Sequence, residues 1–127
     1  MKTLADLTAP QKTARRMLEK DLQKQCVEWA RARGYWARKF SSQSQRSVPD
    51  YLFARREEFV GYYQHTKFAC EFKRPGCPRD PLTGLMSTKA QIEEQNAMRD
   101  AGWSVFECDD FEMFKKTVLR YDGERFV

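Results

Sequence analysis

Two short apolar runs, each carrying acid at a set place, constrain this chain most. The first is Val48-Pro49-Asp50-Tyr51-Leu52; the second is Phe68-Ala69-Cys70-Glu71-Phe72-Lys73-Arg74-Pro75. Successive side chains of a strand point to opposite faces of a sheet. Glu71 and Lys73 therefore share one face, while Phe68, Cys70 and Phe72 point the other way, into a core. Asp50 stands at the mouth of the first run. Two acids and a lysine converging on one side of a small sheet suit a hard cation and the water beside it. Mg²⁺ takes oxygen ligands, usually one or two carboxylates with waters and substrate phosphate.

The flanking sequence supplies the cover for the apolar face. A helical pattern runs from about Lys12 to Arg33, with Leu18, Leu22, Cys26, Trp29 and Ala30 on one side. Thr8 is a candidate N-cap with Gln11 at the capping-box position, and Gly34 is a natural stop. Residues 1–10 read as a loose lead-in. Tyr35–Phe40 is a short aromatic-rich strand. Asp50–Arg55 is the second strand, and Phe59–Tyr63 either extends it or belongs to a long hairpin. Gln64–Lys67 is the expected turn, with His65 at its tip and so no general base. Phe68–Arg74 is the third strand. Thr88 and Gln91 form a T-x-x-Q capping box for a second helix, Thr88 to Asp100, that stops at Gly102. Trp103–Cys108 alternates as a fourth strand. Asp109-Asp110 offers an N-cap for a last helix, Phe111–Leu119, with Phe111, Phe114 and Val118 on its apolar side. Asp122-Gly123 then reads as a turn.

Between these elements lie two loops. Ser41–Ser47 is polar and runs straight into Asp50, placed to touch a substrate backbone. Pro75–Gly84 is stiffened by three prolines and is either a groove wall or a plain connector. Lys39 either faces a phosphate or is a solvated strand-end charge.

At 127 residues the chain has room for one core and reads as a single domain, 1–127. A net charge of +5 is compatible with a polyanionic partner without requiring one. No apolar run approaches the ~18 residues of a membrane span. The N-terminus lacks a signal-peptide core, so a cytoplasmic location is expected. Cys26, Cys70, Cys77 and Cys108 show no C-x-x-C spacing, and His65 is the sole histidine, which argues against zinc. Cys26, Cys70 and Cys108 fall on apolar faces as buried thiols, and Cys77 falls in a loop.

Pro49-Asp50 followed by Glu71-Phe72-Lys73 resembles the PD-(D/E)XK nuclease superfamily. The finer resemblance is to the VRR-NUC family, which carries an Arg, a short gap, Pro-Asp, then E-[VLF]-K-R-P. Arg46-Ser47-Val48-Pro49-Asp50 and Glu71-Phe72-Lys73-Arg74-Pro75 fit that pattern, with Ser47 where family members usually have glycine. The order helix, three strands, helix, strand, helix matches the superfamily's αβββαβ core. The resemblance thus implies an α/β, restriction-endonuclease-like fold with a small mixed sheet flanked by helices. It covers roughly Leu18 to Phe114.

That resemblance also assigns roles. The E-x-x-L-Q pattern of Glu19, Leu22 and Gln23 is similar to the family's first helix, whose glutamate points at the metal directly or through water. Read alone, Glu19 is a solvated glutamate pairing along its helix with Arg15, Arg16 or Gln23. Gln91, fully explained as a capping residue, also coincides with a family glutamine at the site. Asp50 and Glu71 would hold Mg²⁺ or Mn²⁺ with the Phe72 main-chain carbonyl, and Lys73 would orient the attacking water and offset phosphate charge. Arg46, Lys39, Ser47, Arg74 and Lys89 are the candidate nucleic-acid contacts. Small standalone members, many of them phage-encoded, are associated with structure-selective DNA cleavage. The implied activity is a metal-dependent, Holliday-junction-type DNA endonuclease acting as a homodimer in a bacterial or phage-infected cell. Cleavage of flaps, nicks or specific sequences, and a catalytically silent nucleic-acid-binding module, are the alternatives.

Overall fold

The computed structural model describes residues 9–40 and 47–123, the side chains of 9–17 and 123 excepted. Seven elements follow in order: α1 (Ala9–Ala32), β1 (Trp36–Lys39), β2 (Tyr51–Phe59), β3 (Tyr62–Phe72), α2 (Lys89–Asp100), β4 (Ser104–Cys108) and α3 (Phe111–Gly123). The four strands form one sheet in the order β1-β2-β3-β4. The first three are antiparallel neighbours and β4 runs parallel to β3. That parallel pair requires a crossover, which α2 and the loop before it provide. The expected mixed α/β order is therefore present.

Alternation along the strands divides the residues between two faces. On one, Ala37, Phe53, Phe68, Cys70 and Phe72 are buried with Leu22, Cys26, Val27 and Ala30 of α1 and Phe114 and Val118 of α3. Phe114 is the hub: its ring lies 5.7 Å from Phe53, 6.0 Å from Phe72, 5.8 Å from Phe106 and 6.0 Å from Trp29. Cys26, Cys70 and Cys108 are buried free thiols in this core, and Cys77 is partly exposed. Leu18, expected on the packed side of α1, is 53% exposed. It sits a turn before Leu22, over a surface cavity shared with Pro75 and Phe111 instead of over the sheet.

Both long helices that precede a strand leave it through the same glycine device. Tyr35 N–H donates to Ala30 and Gly34 N–H to Arg31, with Gly34 at φ 92°. Trp103 N–H donates to Met98 and Gly102 N–H to Arg99, with Gly102 at φ 100°. This bond pair satisfies carbonyls that the helix end leaves unpaired.

Two further sequence expectations are corrected. The β2–β3 turn is not Gln64–Lys67. The strands pair without interruption to Phe59↔Tyr62, and Val60-Gly61 makes the corner. Gly61 has the positive φ (85°) that a tight corner demands. The polar stretch 64–67 is strand because its backbone ladder with residues 54–57 is complete, with His65 and Lys67 exposed on one face and Gln64 and Thr66 partly covered on the other. Nor is Asp122 a turn residue: α3 continues through it, and it is buried. Its carboxylate accepts Tyr35 Oη at 2.7 Å, Arg33 at 3.0 Å and Arg55 at 2.8 Å. A buried acid with three donors ties the end of α3 to β2 and the α1–β1 corner, and that tertiary tie extends the helix.

Candidate active site

On the second face of the sheet, α2 packs against β4, and its first turn reaches the inner end of β3 through Gln91. Glu71 is consequently buried at 4% exposure, although Lys73 two residues on is only partly covered. The Lys73 amide continues the ladder by donating to Cys108 O at 2.8 Å, so the strand direction is held to the end of the motif. Lys73 Nζ lies 3.6 Å from Glu71 Oε1.

Gln91 joins these two residues to the helix. Thr88 Oγ accepts Gln91 N–H, and Gln91 Oε1 accepts Thr88 N–H at 2.8 Å, closing the expected capping box. The same Oε1 also accepts Lys73 Nζ at 2.9 Å, while Gln91 Nε2 donates to Glu71 Oε1 at 2.9 Å. One amide thus fixes the helix start and the orientation of both charged side chains. Asp50, at the entry of β2, accepts Phe72 N–H at 2.9 Å through Oδ2. That bond crosses from one apolar run to the other and places Asp50 beside Glu71.

Glu19 approaches from α1. With Lys20, Gln23, Lys39 and Asp50 it lines a cavity of about 290 Å³. The structure therefore brings Glu19, Lys39, Asp50, Glu71, Lys73 and Gln91 to one region, with Arg74 near enough to act on Glu19. Ser47 is half-buried just upstream of Asp50, and Lys89 is exposed at the start of α2. Arg46 lies outside the described residues.

Three carboxyls titrate high. Glu71 is pushed up to about 8 by burial and then by Asp50, against the opposing pull of Lys73. Asp50 is raised by burial, partly offset by the Phe72 amide, Lys73 and Lys39. Glu19 is raised by burial and by Asp50, and lowered by Lys73, Arg74 and Lys39. Acids that burial and mutual repulsion hold toward the neutral form are what a bound cation relieves.

The sign of the resulting pH effect is set by Glu71. Its folded value lies above the ordinary 4.5, so the folded protein binds more protons across that interval. The contribution of Glu71 to stability without divalent ion is fully present below about 4.5 and is lost as pH rises through about 8, by at most ~1.4 kcal/mol per pH unit. Thermal melts in chelator should give a higher Tm near pH 5.5 than near pH 8.

Could this site hold a metal? Glu71 Oε2 is buried with no hydrogen-bond partner in the structure, and orphaned buried acceptors are uncommon. Asp50 contributes a second carboxylate from the adjoining strand. Among the described residues, no three His, Cys, Asp or Glu gather closely enough to chelate an ion by themselves. Two carboxylates with room for water match the needs of Mg²⁺ better than those of zinc.

Sequence reasoning missed Glu107. By register it stands beside Glu71 on β4, and its carboxylate accepts Met86 N–H at 2.8 Å, Ser87 N–H at 2.9 Å and Ser87 Oγ at 2.7 Å. Buried Gln95 donates to the same Ser87 Oγ at 3.0 Å. Together they anchor the chain entering α2 and therefore the position of Gln91. Arg79 ties the preceding loop to Asp109 at 3.1 Å, which makes Pro75–Gly84 a fastened connector. The available signal was that Glu107 shares a strand face with the apolar Val105, an odd place for a solvated acid.

No protein-family model and no curated protein matches the chain. A solved structure described as "VRR_NUC domain" superposes with a TM-score of 0.63 over 81% of this chain and 96% of that one, at 22% identity. The chain has the fold of a VRR_NUC domain. Among the described residues, no helix is long and apolar enough to cross a membrane.

Proposed function

We propose that the chain is a VRR-NUC-family nuclease of the PD-(D/E)XK type, hydrolysing DNA phosphodiester bonds with Mg²⁺ or Mn²⁺ in the cytoplasm of a bacterial or phage-infected cell. The observation that carries the reading is the Gln91 amide bonded to both Glu71 and Lys73, on a VRR_NUC fold, with Asp50 alongside. A glutamine needed only as a cap has no reason to orient an acid and a base on another element.

Asp50, Glu71 and the Phe72 main-chain carbonyl would hold the ion, with Glu19 joining through water. When bound, the ion would lower the pKa of a water and polarise the phosphoryl oxygen. The protein's own contribution is positional. Lys73, steered by Gln91, holds its ammonium where it can orient the attacking water and offset charge developing on the phosphate. Gln91 keeps Glu71 Oε1 occupied, which would leave the unpartnered Oε2 as the oxygen available to an ion. Lys39, Ser47, Arg74 and Lys89 would take flanking phosphates, and Arg46, outside the described residues, stays a candidate contact from its sequence place before Asp50.

Gln91 variants separate capping from chemistry. Gln91→Ala should cost about 1 kcal/mol of stability through the lost cap and lower cleavage about 10- to 100-fold. Gln91→Glu keeps the acceptor for Thr88 but sets an acid against Glu71. It should hold most of the stability while losing as much activity, as read by thermal melts beside initial cleavage rates.

For substrate, the reading is a four-way DNA junction cut by a homodimer, since two symmetric cuts need two sites. A labelled junction and a linear duplex of the same sequence, incubated with Mg²⁺, Mn²⁺ or EDTA, test it. Paired symmetric cuts in the junction, with dimers in sedimentation, are expected. Equal cutting of linear duplex would move the assignment to nicked, flap or sequence-specific DNA. Intact binding without cutting of either would leave a nucleic-acid-binding module.

A further inference from the structure

We propose that the open face of β1, β2 and β3 is a track for duplex DNA flanking the cleaved phosphate. The occupant rests on the nuclease reading; the surface itself does not. Cross-strand partners in an antiparallel sheet share a face. Trp36 pairs with Ala54, Ala54 with Lys67, Arg38 with Leu52, Leu52 with Ala69, and Arg56 with His65. Glu71 and Lys73 follow Ala69 at intervals of two, so this is the face that carries the candidate active site. On the reverse face, α1 and α3 bury the core. Here α2 packs on β4, and no other described element covers the first three strands. Trp36 is 49% exposed, and Arg38, Arg56, His65 and Lys67 are exposed as well.

The chemistry of the face selects a polyanion. Each cation is braced by a ring: Arg38 over Trp36 at 5.3 Å, Arg56 over Tyr63 at 4.4 Å and Lys67 over Trp103 at 5.6 Å. Bracing orients a long side chain and reduces the entropy lost on binding. Among the described residues of the outer part of this face, Glu58 opposes these charges, at 3.4 Å from Arg56, with both side chains more than half exposed, so the pair contributes little; the acids Asp50, Glu71 and Glu107 lie at the inner end, around the candidate active site. Ala54 forms part of the floor of a cavity of about 430 Å³ that Arg56, His65 and Lys67 help to line. A second copy of this face would bring like charges together, and an apolar partner would strand them without solvent. From Lys67 to Lys73 the strand advances roughly 20 Å, or about six base-pair steps. A duplex laid along β3 would thus meet the cations on one side of the scissile position.

The test is fluorescence anisotropy of a labelled duplex in EDTA across a salt series, which needs no cleavage. The variant Arg38→Ala/Arg56→Ala/Lys67→Ala is compared with wild type and with Lys24→Ala/Lys116→Ala/Arg120→Ala, which removes equal charge from exposed positions of α1 and α3. Thermal melts confirm that each is folded. The track variant should bind at least about tenfold more weakly, with a log–log salt slope shallower by about 2 to 3, while the control changes far less. Equal affinity and slope in the track variant, an equal loss in the control, or no DNA binding by wild type would overturn the proposal. Wild-type binding through this face without cleavage in Mg²⁺ or Mn²⁺ would sink the nuclease reading and leave the track standing.

Discussion

Glu71→Gln should abolish DNA cleavage, by at least about a thousandfold or ~4 kcal/mol in the barrier, while raising stability near pH 8 in chelator. The two effects have one cause. Burial holds Glu71 toward its neutral form, and between about 4.5 and 8 the folded protein bears the cost of keeping a proton that the unfolded chain releases. A neutral amide of the same shape removes that cost and still accepts the Gln91 Nε2 bond at its oxygen. It also removes the charge that a divalent ion requires and the counter-charge that Lys73 faces at 3.6 Å. Loss of activity with gain of stability is the signature of strain stored at a site for function. Melting curves and cleavage rates on the same preparations read both. A variant that loses stability and activity together would mark Glu71 as a structural residue.

Asp122→Ala should destabilise the protein by about 3–5 kcal/mol, because it strips the acceptor from two guanidinium groups and a buried phenol at once. Arg55 is the more deeply placed of the two, at 11% side-chain exposure, and it also pairs with Glu57. Glu57 and the Arg33 carbonyl remain as its acceptors, so what Arg55 loses is one of two carboxylate partners, the one that also holds Arg33 and Tyr35. Tyr35 Oη loses a 2.7 Å bond in the interior. The expected fall in Tm exceeds about 10 °C. Asp122→Asn, which retains an acceptor, should recover part of it. An alanine variant within a few degrees of wild type would show that the tie between α3 and β2 carries little.

The inner half of the fold was legible because its signals are local and periodic. Phe68, Cys70 and Phe72 alternate with Glu71 and Lys73, and the residues of each set do lie on opposite faces. Thr88 and Gln91 announce a helix start in four letters, and the cap is there. What that pattern could not convey is that the capping glutamine also bonds Glu71 and Lys73, since those contacts depend on where the crossover sets the start of α2. The hairpin was misread for a different reason. Its outer half is rich in polar residues on both faces, so polarity no longer distinguishes strand from turn, and Gly61 was the better guide. Asp122 and Glu107 escaped notice because each is explained by partners far away in the chain, Arg33 and Tyr35 for one, Met86 and Ser87 for the other. An acid near a glycine reads as a turn until its distant donors are known.

The most direct test of the central claim is cleavage of labelled DNA by wild type and Lys73→Ala in Mg²⁺, Mn²⁺ and EDTA, with binding measured on the same samples. The account predicts cutting by wild type with either ion, none in EDTA, and at least about a thousandfold less by the variant at unchanged affinity. Cutting that persists in EDTA or survives loss of Lys73, or a folded wild type that binds DNA and cuts none with either ion, would contradict it.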